Sequence, residues 1–189
     1  MPAGPARVVT CLDRYFDTAP VDGALRLGGV RARLRVQDGM VIVAVKAPIA
    51  TDGAVSRRVE LQGPAVDRLD PLSWPASAAR ARILALVGET PLVEIAALRQ
   101  RRLQRNFARG GTTVEISLDE LEAVDGRRVL AHRVEVEAEL LGGDPRLLQD
   151  LAAALGELPG IAPASGSKLA FAIAARGPTT KGPIPLPSD

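Results

Sequence analysis

Between Arg127 and Leu140 the chain reads RRVLAHRVEVEAEL, and from His132 onward it alternates without a break. Val134, Val136, Ala138 and Leu140 fall on one side of the alternation, and Glu135, Glu137 and Glu139 on the other. A period of two residues is that of a β-strand, whose successive side chains point to opposite faces. Three carboxylates at alternate positions lie roughly 7 Å apart from one to the next. Facing only one another they would repel, and each would raise its neighbour's pKa. Two readings fit: a face turned to water, or a face turned to cations. Matching sets of Arg and Lys on other strands favour the second.

The rest of the chain bounds the answer. A length of 189 residues suits one domain, and a hydrophobic content of 47% suffices for a sizeable core. Only 3% of residues are aromatic, so that core is built from Val, Leu, Ile and Ala. The formal net charge of +2 is too small for a bulk polyanion binder, so any charge effect comes from segregation within the fold. Lys46, Lys168 and Lys181 are the only lysines; the other cations are arginines, suited to bidentate phosphate or carboxylate contacts. Richness in Arg, Ala, Gly and Pro fits GC-rich coding equally well. One cysteine, Cys11, and one histidine, His132, exclude an intrachain disulfide and a Cys/His zinc site. No signal-like run opens the chain and no apolar stretch reaches membrane length, so a cytoplasmic protein with no membrane partner is expected.

Taken in order, residues 1–7 form a Pro/Gly/Ala arm expected to be disordered. Val8–Thr18 reads as a strand ending in YFDT, followed by a loop with a short helical turn over Ala19–Gly29. Val30–Val36 and Met40–Lys46 are two strands joined by the hairpin signal Asp38-Gly39, with Arg31, Arg33 and Arg35 on one face. Pro48 to Gly53 reads as loop, and Ala54–Gln62 as a fourth strand with Arg58, Glu60 and Gln62 on one face. After an irregular stretch, Ser77–Val87 has helical spacing, with Ser77 as cap and Gly88 as stop. Leu92–Phe107 and Thr112–Leu121 are strands, and the Glu135 strand is the seventh. Asp144-Pro145 opens a helix to about Leu155, and Ser165–Ala175 is a last short one. Residues 177–189 are Pro-rich and read as a disordered tail or linker. The fold class is therefore mainly antiparallel β (α+β), one domain over 8–176, with peripheral helices. Cys11 and Trp74 read as packing residues, Asp17 as a strand-end cap, and His132 as a structural residue facing the apolar layer.

Eight short motifs occur in a characteristic order: YFDT (Tyr15–Thr18), ARLR (Ala32–Arg35), VK (Val45-Lys46), RVE (Arg58–Glu60), LRQRR (Leu98–Arg102), VEISLD (Val114–Asp119), VEVEAEL (Val134–Leu140) and SK (Ser167-Lys168). Together they resemble the CYTH superfamily, the triphosphate tunnel metalloenzymes, from about Tyr15 to Ala175. The resemblance implies a tunnel-like β-barrel of seven to eight antiparallel strands. It also implies binding, and metal-dependent hydrolysis, of a triphosphate or polyphosphate. Carried over by motif, Arg33, Arg35, Lys46, Arg58, Lys168 and one or two of Arg99, Arg101 and Arg102 would contact phosphates. Glu60, Glu135, Glu137, Glu139 and Asp119 would face the metal, Mg²⁺ or Mn²⁺. The LRQRR and SK region is most similar to bacterial members that often precede a helical polyphosphate-binding domain.

The chemistry points the same way. Guanidinium forks match the oxygens of a polyanion. Mg²⁺ takes hard oxygen ligands while keeping several waters. Phosphoryl transfer to water depends on positioning and charge neutralisation. Two departures stand out: no Glu-x-Glu-x-Lys motif precedes Tyr15, and Gln62 replaces the last acid of the family's Arg-x-Glu-x-Glu. Three readings stay open: a start placed too late, a non-catalytic polyphosphate- or nucleotide-binding module, or a strand supplied by a partner chain. Exposed strand edges would favour homo-oligomers. Low aromatic content and near-neutral charge speak against nucleic acid.

Overall fold

The computed structural model describes the backbone over residues 4–52 and 55–177, and side chains there except those of 48–58. Seven strands form one antiparallel sheet: β1 (Arg7–Asp17), β2 (Arg31–Gln37), β3 (Met40–Asp52), β4 (Val55–Pro64), β5 (Val93–Arg109), β6 (Thr112–Asp125) and β7 (Arg128–Gly142). Their order across the sheet is β4-β3-β2-β1-β5-β6-β7. Four helices accompany them: α1 (Ala24–Leu27), α2 (Ala78–Val87), α3 (Arg146–Gly156) and α4 (Lys168–Arg176), with a 3₁₀ turn at Pro71–Ser73.

Local signals account for most boundaries. Asp38 and Gly39 both take positive φ, 51° and 76°, as a tight hairpin between β2 and β3 requires. Ser77 accepts a hydrogen bond from the Arg80 amide and starts α2; Gly88, at φ 57°, ends it. Ser167 does the same for α4 through the Ala170 amide. The expected loop at Pro48 is instead strand: β3 continues to Asp52, with a register shift between Pro48 and Ala50. Prolines within sheets are confined to edge strands, strand starts and bulges, and the register shift directly follows Pro48.

The mainly antiparallel, strongly curved sheet is the expected tunnel-like fold, although it is not closed into a barrel. Among the described residues no ladder joins β4 to β7, whereas α3 touches both edge strands. Curvature also shows in burial. Among the described residues α4 packs on one end of the inner face, and Asp13, Gln100, Ser117 and Asp119 on that face are fully or almost fully buried.

Two apolar layers hold this shape. On the outer face of β1–β4, Phe16, Ala32, Leu34, Val43 and Val45 pack against Leu25 of α1 and Ala79, Ile83 and Val87 of α2. Trp74 closes this layer, its ring 5.8 Å from that of Phe16 and its Nε1 donating to the Arg68 carbonyl. Each Val, Leu or Ile side chain among them contributes roughly 1.5–3 kcal/mol when fully buried. At one end of the inner face, Leu169 and Ala172 of α4 pack on Tyr15, Ala96, Leu98 and Ala123. The outer face of β5–β7 is less covered: among the described residues Leu103, Leu118 and Val136 remain exposed, as does Val8 beside them. Among the described residues no helix is long and apolar enough to cross a membrane.

Candidate functional site

Strand register decides which charges meet. β1 places Asp13 opposite Arg35 on β2 and Leu98 on β5, with Tyr15 opposite Arg33 and Cys11 opposite Gln100. Asp13 is completely buried. Arg35 grips it with Nε at 2.7 Å and Nη2 at 2.8 Å, Arg33 adds Nη1 at 2.8 Å, and Gln100 donates from the other side. Burial opposes ionisation of Asp13, but the two guanidiniums and Gln100 outweigh it and hold its pKa below the usual range. Burial likewise opposes the charge on Arg35; its bond to Asp13 prevails and raises its pKa. One carboxylate thus fixes two arginines, and both guanidiniums keep further N–H groups for another acceptor. Next to them Lys46 of β3 pairs with Glu60 of β4 at 2.9 Å, and Gln62 donates to the same carboxylate.

The second cluster lies on β5, β6 and β7. Arg102 stands opposite Asp119, which stands opposite Glu135, with Ser117 opposite Glu137. Arg102 donates to Asp119 at 2.9 Å, to Ser117 at 3.0 Å and to Glu137 at 3.0 Å. Lys168, the first residue of α4, places its ammonium against Asp119, 3.0 Å from Glu137 and 3.3 Å from Glu135. Arg133 of β7 meets Glu135 at 2.7 Å and lies over the Phe171 ring of α4. Burial opposes the charge of Asp119, but Arg102 and Lys168 bring its pKa down. Glu135 goes the other way: burial, reinforced by Glu137, raises its pKa in spite of Lys168 and Arg133. Carboxylate oxygens of Asp119, Glu135 and Glu137 all lie within 4.8 Å of one another. Three hard-oxygen donors at that spacing fit a divalent cation such as Mg²⁺ or Mn²⁺.

The expected residues divide accordingly. Arg33, Arg35, Lys46, Arg102 and Lys168 reach the inner face, with Asp119, Glu135 and Glu137. Arg99 and Arg101 do not, because their parity on β5 turns them outward, where they pair with Glu122 at 2.5 Å and Glu120 at 3.0 Å. Glu60 sits on β4, at the opposite edge of the sheet order from β7, and is taken by Lys46. Glu139 shares the inward parity of Glu137 but is exposed, opposite Glu115, and lies outside the acidic cluster. The Arg58 backbone lies on β4 opposite Pro48; its side chain falls outside the described residues. His132 is not a buried structural residue. Its side chain is exposed, 3.9 Å from Glu122. Asp17 does act as a cap, accepting from the amides of Thr18, Leu25 and Arg26.

Asp13, Gln100 and Arg133 were not foreseen. A signal existed for Asp13: in the alternation Val9, Cys11, Asp13, Tyr15 it is the one charge on an otherwise apolar or aromatic side.

A strongly curved antiparallel sheet with a charged inner face, helices behind one half and a last helix at one end is the CYTH-type fold. Solved structures sharing it include HpAC1 from Hippeastrum, a candidate adenylyl cyclase described as having a dominant triphosphatase activity. It is 19% identical, with 89% of this chain and 83% of that one covered and a TM-score of 0.64. A candidate adenylate cyclase from Bacillus halodurans aligns at 14% identity over 87% of this chain and 82% of its own, with a TM-score of 0.59. PH1819 from Pyrococcus horikoshii aligns at 18% identity over 89% and 85%, with a TM-score of 0.50. No family model matches the chain. No curated protein matches it either.

Proposed function

We propose that the inner face binds inorganic triphosphate or a longer polyphosphate. The observation that carries this is the convergence of Arg33, Arg35, Lys46, Arg102 and Lys168 on one face while Arg99 and Arg101 turn away. Arg33 and Arg35 are two cations against one buried carboxylate, so their region carries surplus positive charge. In a concave, partly desolvated setting that surplus attracts anions more strongly than the same charges would in water. Planar forks held by Asp13 and Gln100 are pre-oriented for phosphate oxygens. The triphosphatase activity described for the Hippeastrum protein supports the choice of ligand.

A second reading, metal-dependent hydrolysis of the same ligand, is favoured by the acidic cluster. Asp119, Glu135 and Glu137 would hold Mg²⁺ or Mn²⁺, which supplies charge neutralisation and an acidified water when bound. Arg33, Arg35 and Arg102 would orient the phosphates and share their charge. The edges of β4 and β7, which no ladder joins among the described residues, make self-association the expected oligomeric behaviour.

Isothermal titration with tripolyphosphate in EDTA tests binding, and phosphate release with Mg²⁺ or Mn²⁺ tests hydrolysis. Binding in EDTA is expected. No binding under either condition would remove the proposal, and binding without release would leave a non-catalytic module.

A further inference from the structure

The acidic cluster already holds a cation that belongs to the chain. The Lys168 ammonium hydrogen-bonds to Asp119 and forms ion pairs with two further carboxylates, Glu137 at 3.0 Å and Glu135 at 3.3 Å. The Lys168 side chain is only 11% exposed. The contacts also balance: Asp119, Glu135 and Glu137 are matched by Lys168, Arg102 and Arg133. We propose that Lys168 is a tethered counter-cation, and that a divalent ion takes the Asp119–Glu135–Glu137 nest only when the Lys168 ammonium leaves it.

Geometry makes the two compete. One carboxylate oxygen from each residue lies within 4.8 Å of the others, so an ammonium and a metal ion seated among them would be close enough to repel. A divalent ion ligated by these three carboxylates at about 2.0–2.1 Å would compete with Nζ for oxygens it already contacts. Charge adds to this: with the three carboxylates balanced, a divalent ion beside Lys168 would leave two uncompensated positive charges in a half-buried site.

The fold lets the side chain move without moving the helix. Leu169 and Ala172 anchor α4 against Tyr15, Leu98 and Ala123, and Ser167 caps its start. Lys168 hangs at the first turn on a flexible four-carbon stem. Resting on the triphosphate reading above, a bound phosphate is the acceptor that would draw the ammonium out. Anion and metal would then bind cooperatively, because the first removes the competitor of the second.

The test uses the full chain and Mn²⁺ alone, with free Mn²⁺ followed by electron paramagnetic resonance and no phosphate present. Lys168→Gln is expected to bind one Mn²⁺ at least about tenfold more tightly than the unaltered chain. Lys168→Arg, which keeps a cation, should not, and adding Glu137→Gln to Lys168→Gln should abolish the gain. Melting curves give a second readout: Mn²⁺ should raise the melting temperature of Lys168→Gln and leave the unaltered chain where it was. Tight one-site Mn²⁺ binding by the unaltered chain, or no gain in Lys168→Gln by either readout, overturns the proposal. Neither outcome depends on tripolyphosphate binding in EDTA, so failure here and failure of the proposed function are separately visible.

Discussion

The two charged clusters on the inner face are built from similar residues and reach opposite balances. Around Asp13, one carboxylate faces Arg33 and Arg35, and Gln100 supplies a neutral donor. Around Asp119, three carboxylates face three cations. The first cluster carries a surplus and is receptive to an anion; the second is closed. They differ in construction too. Every member of the first lies on β1, β2 or β5, where cross-strand register fixes it. The second depends on Lys168 from α4, a helix docked through a few apolar side chains. Fixed geometry suits binding, whereas a removable partner suits a site whose occupant changes.

The largest expected effect removes the centre of the first cluster. Asp13→Asn should lower unfolding free energy by about 3–5 kcal/mol, because Arg33 and Arg35 lose the buried partner that compensates them. Urea unfolding measures it. A loss below about 1 kcal/mol would mean that water already compensates these arginines and that the contrast between the clusters is overstated.

Binding energies should separate the clusters next. Arg35→Ala, assayed well below its melting temperature, should weaken tripolyphosphate binding by about 1.5–3 kcal/mol, equally in EDTA and in Mn²⁺. Glu137→Gln should change mainly the Mn²⁺-dependent part. Identical behaviour of the two variants in EDTA would erase the proposed division of labour.

A smaller effect is expected from pH. Asp13 is contacted by Arg33 and Arg35 from β2 and Gln100 from β5, with Cys11 and Tyr15 beside it on its own strand. Its folded-state pKa lies below an unfolded value of about 3.9, so it binds fewer protons when folded. Its stabilisation is therefore present above that unfolded value and is lost as pH falls through the folded value. The unaltered chain should lose stability steeply below about pH 4, and Asp13→Asn should show a shallower acid limb in pH-resolved denaturation. Parallel limbs would assign acid sensitivity to other carboxylates.

The smallest effect sets the baseline. Arg99→Ala and Arg101→Ala remove exposed outer-face pairs worth about 0–1 kcal/mol and should leave tripolyphosphate affinity within about twofold. A tenfold loss from either would place the ligand on the wrong face.

Much of this was legible in the chain itself. Alternation located the strands, and the hairpin and cap signals at Asp38-Gly39, Ser77 and Ser167 placed their breaks, because these depend on local backbone chemistry. The eight motifs pointed to the CYTH-type fold and to a shared charged face. Parity could have gone further. Arg99 and Arg101 stand one residue out of phase with Gln100 and Arg102, so they could not share the inward face with Arg102. The extension of β3 past Pro48 was hidden, since a proline reads as a stop unless a bulge accommodates it.

What only the tertiary structure decided is which charges pair. Sequence fixes the face on which a side chain sits, because the strand period is two. Partners on other strands depend on register and on the order β4-β3-β2-β1-β5-β6-β7, which brings residues such as Asp13 and Gln100 together across 87 positions. Sheet curvature and the docking of α4 then set burial, and burial turns these pairs from weakly coupled surface charges into an anion-receptive cluster and a closed one.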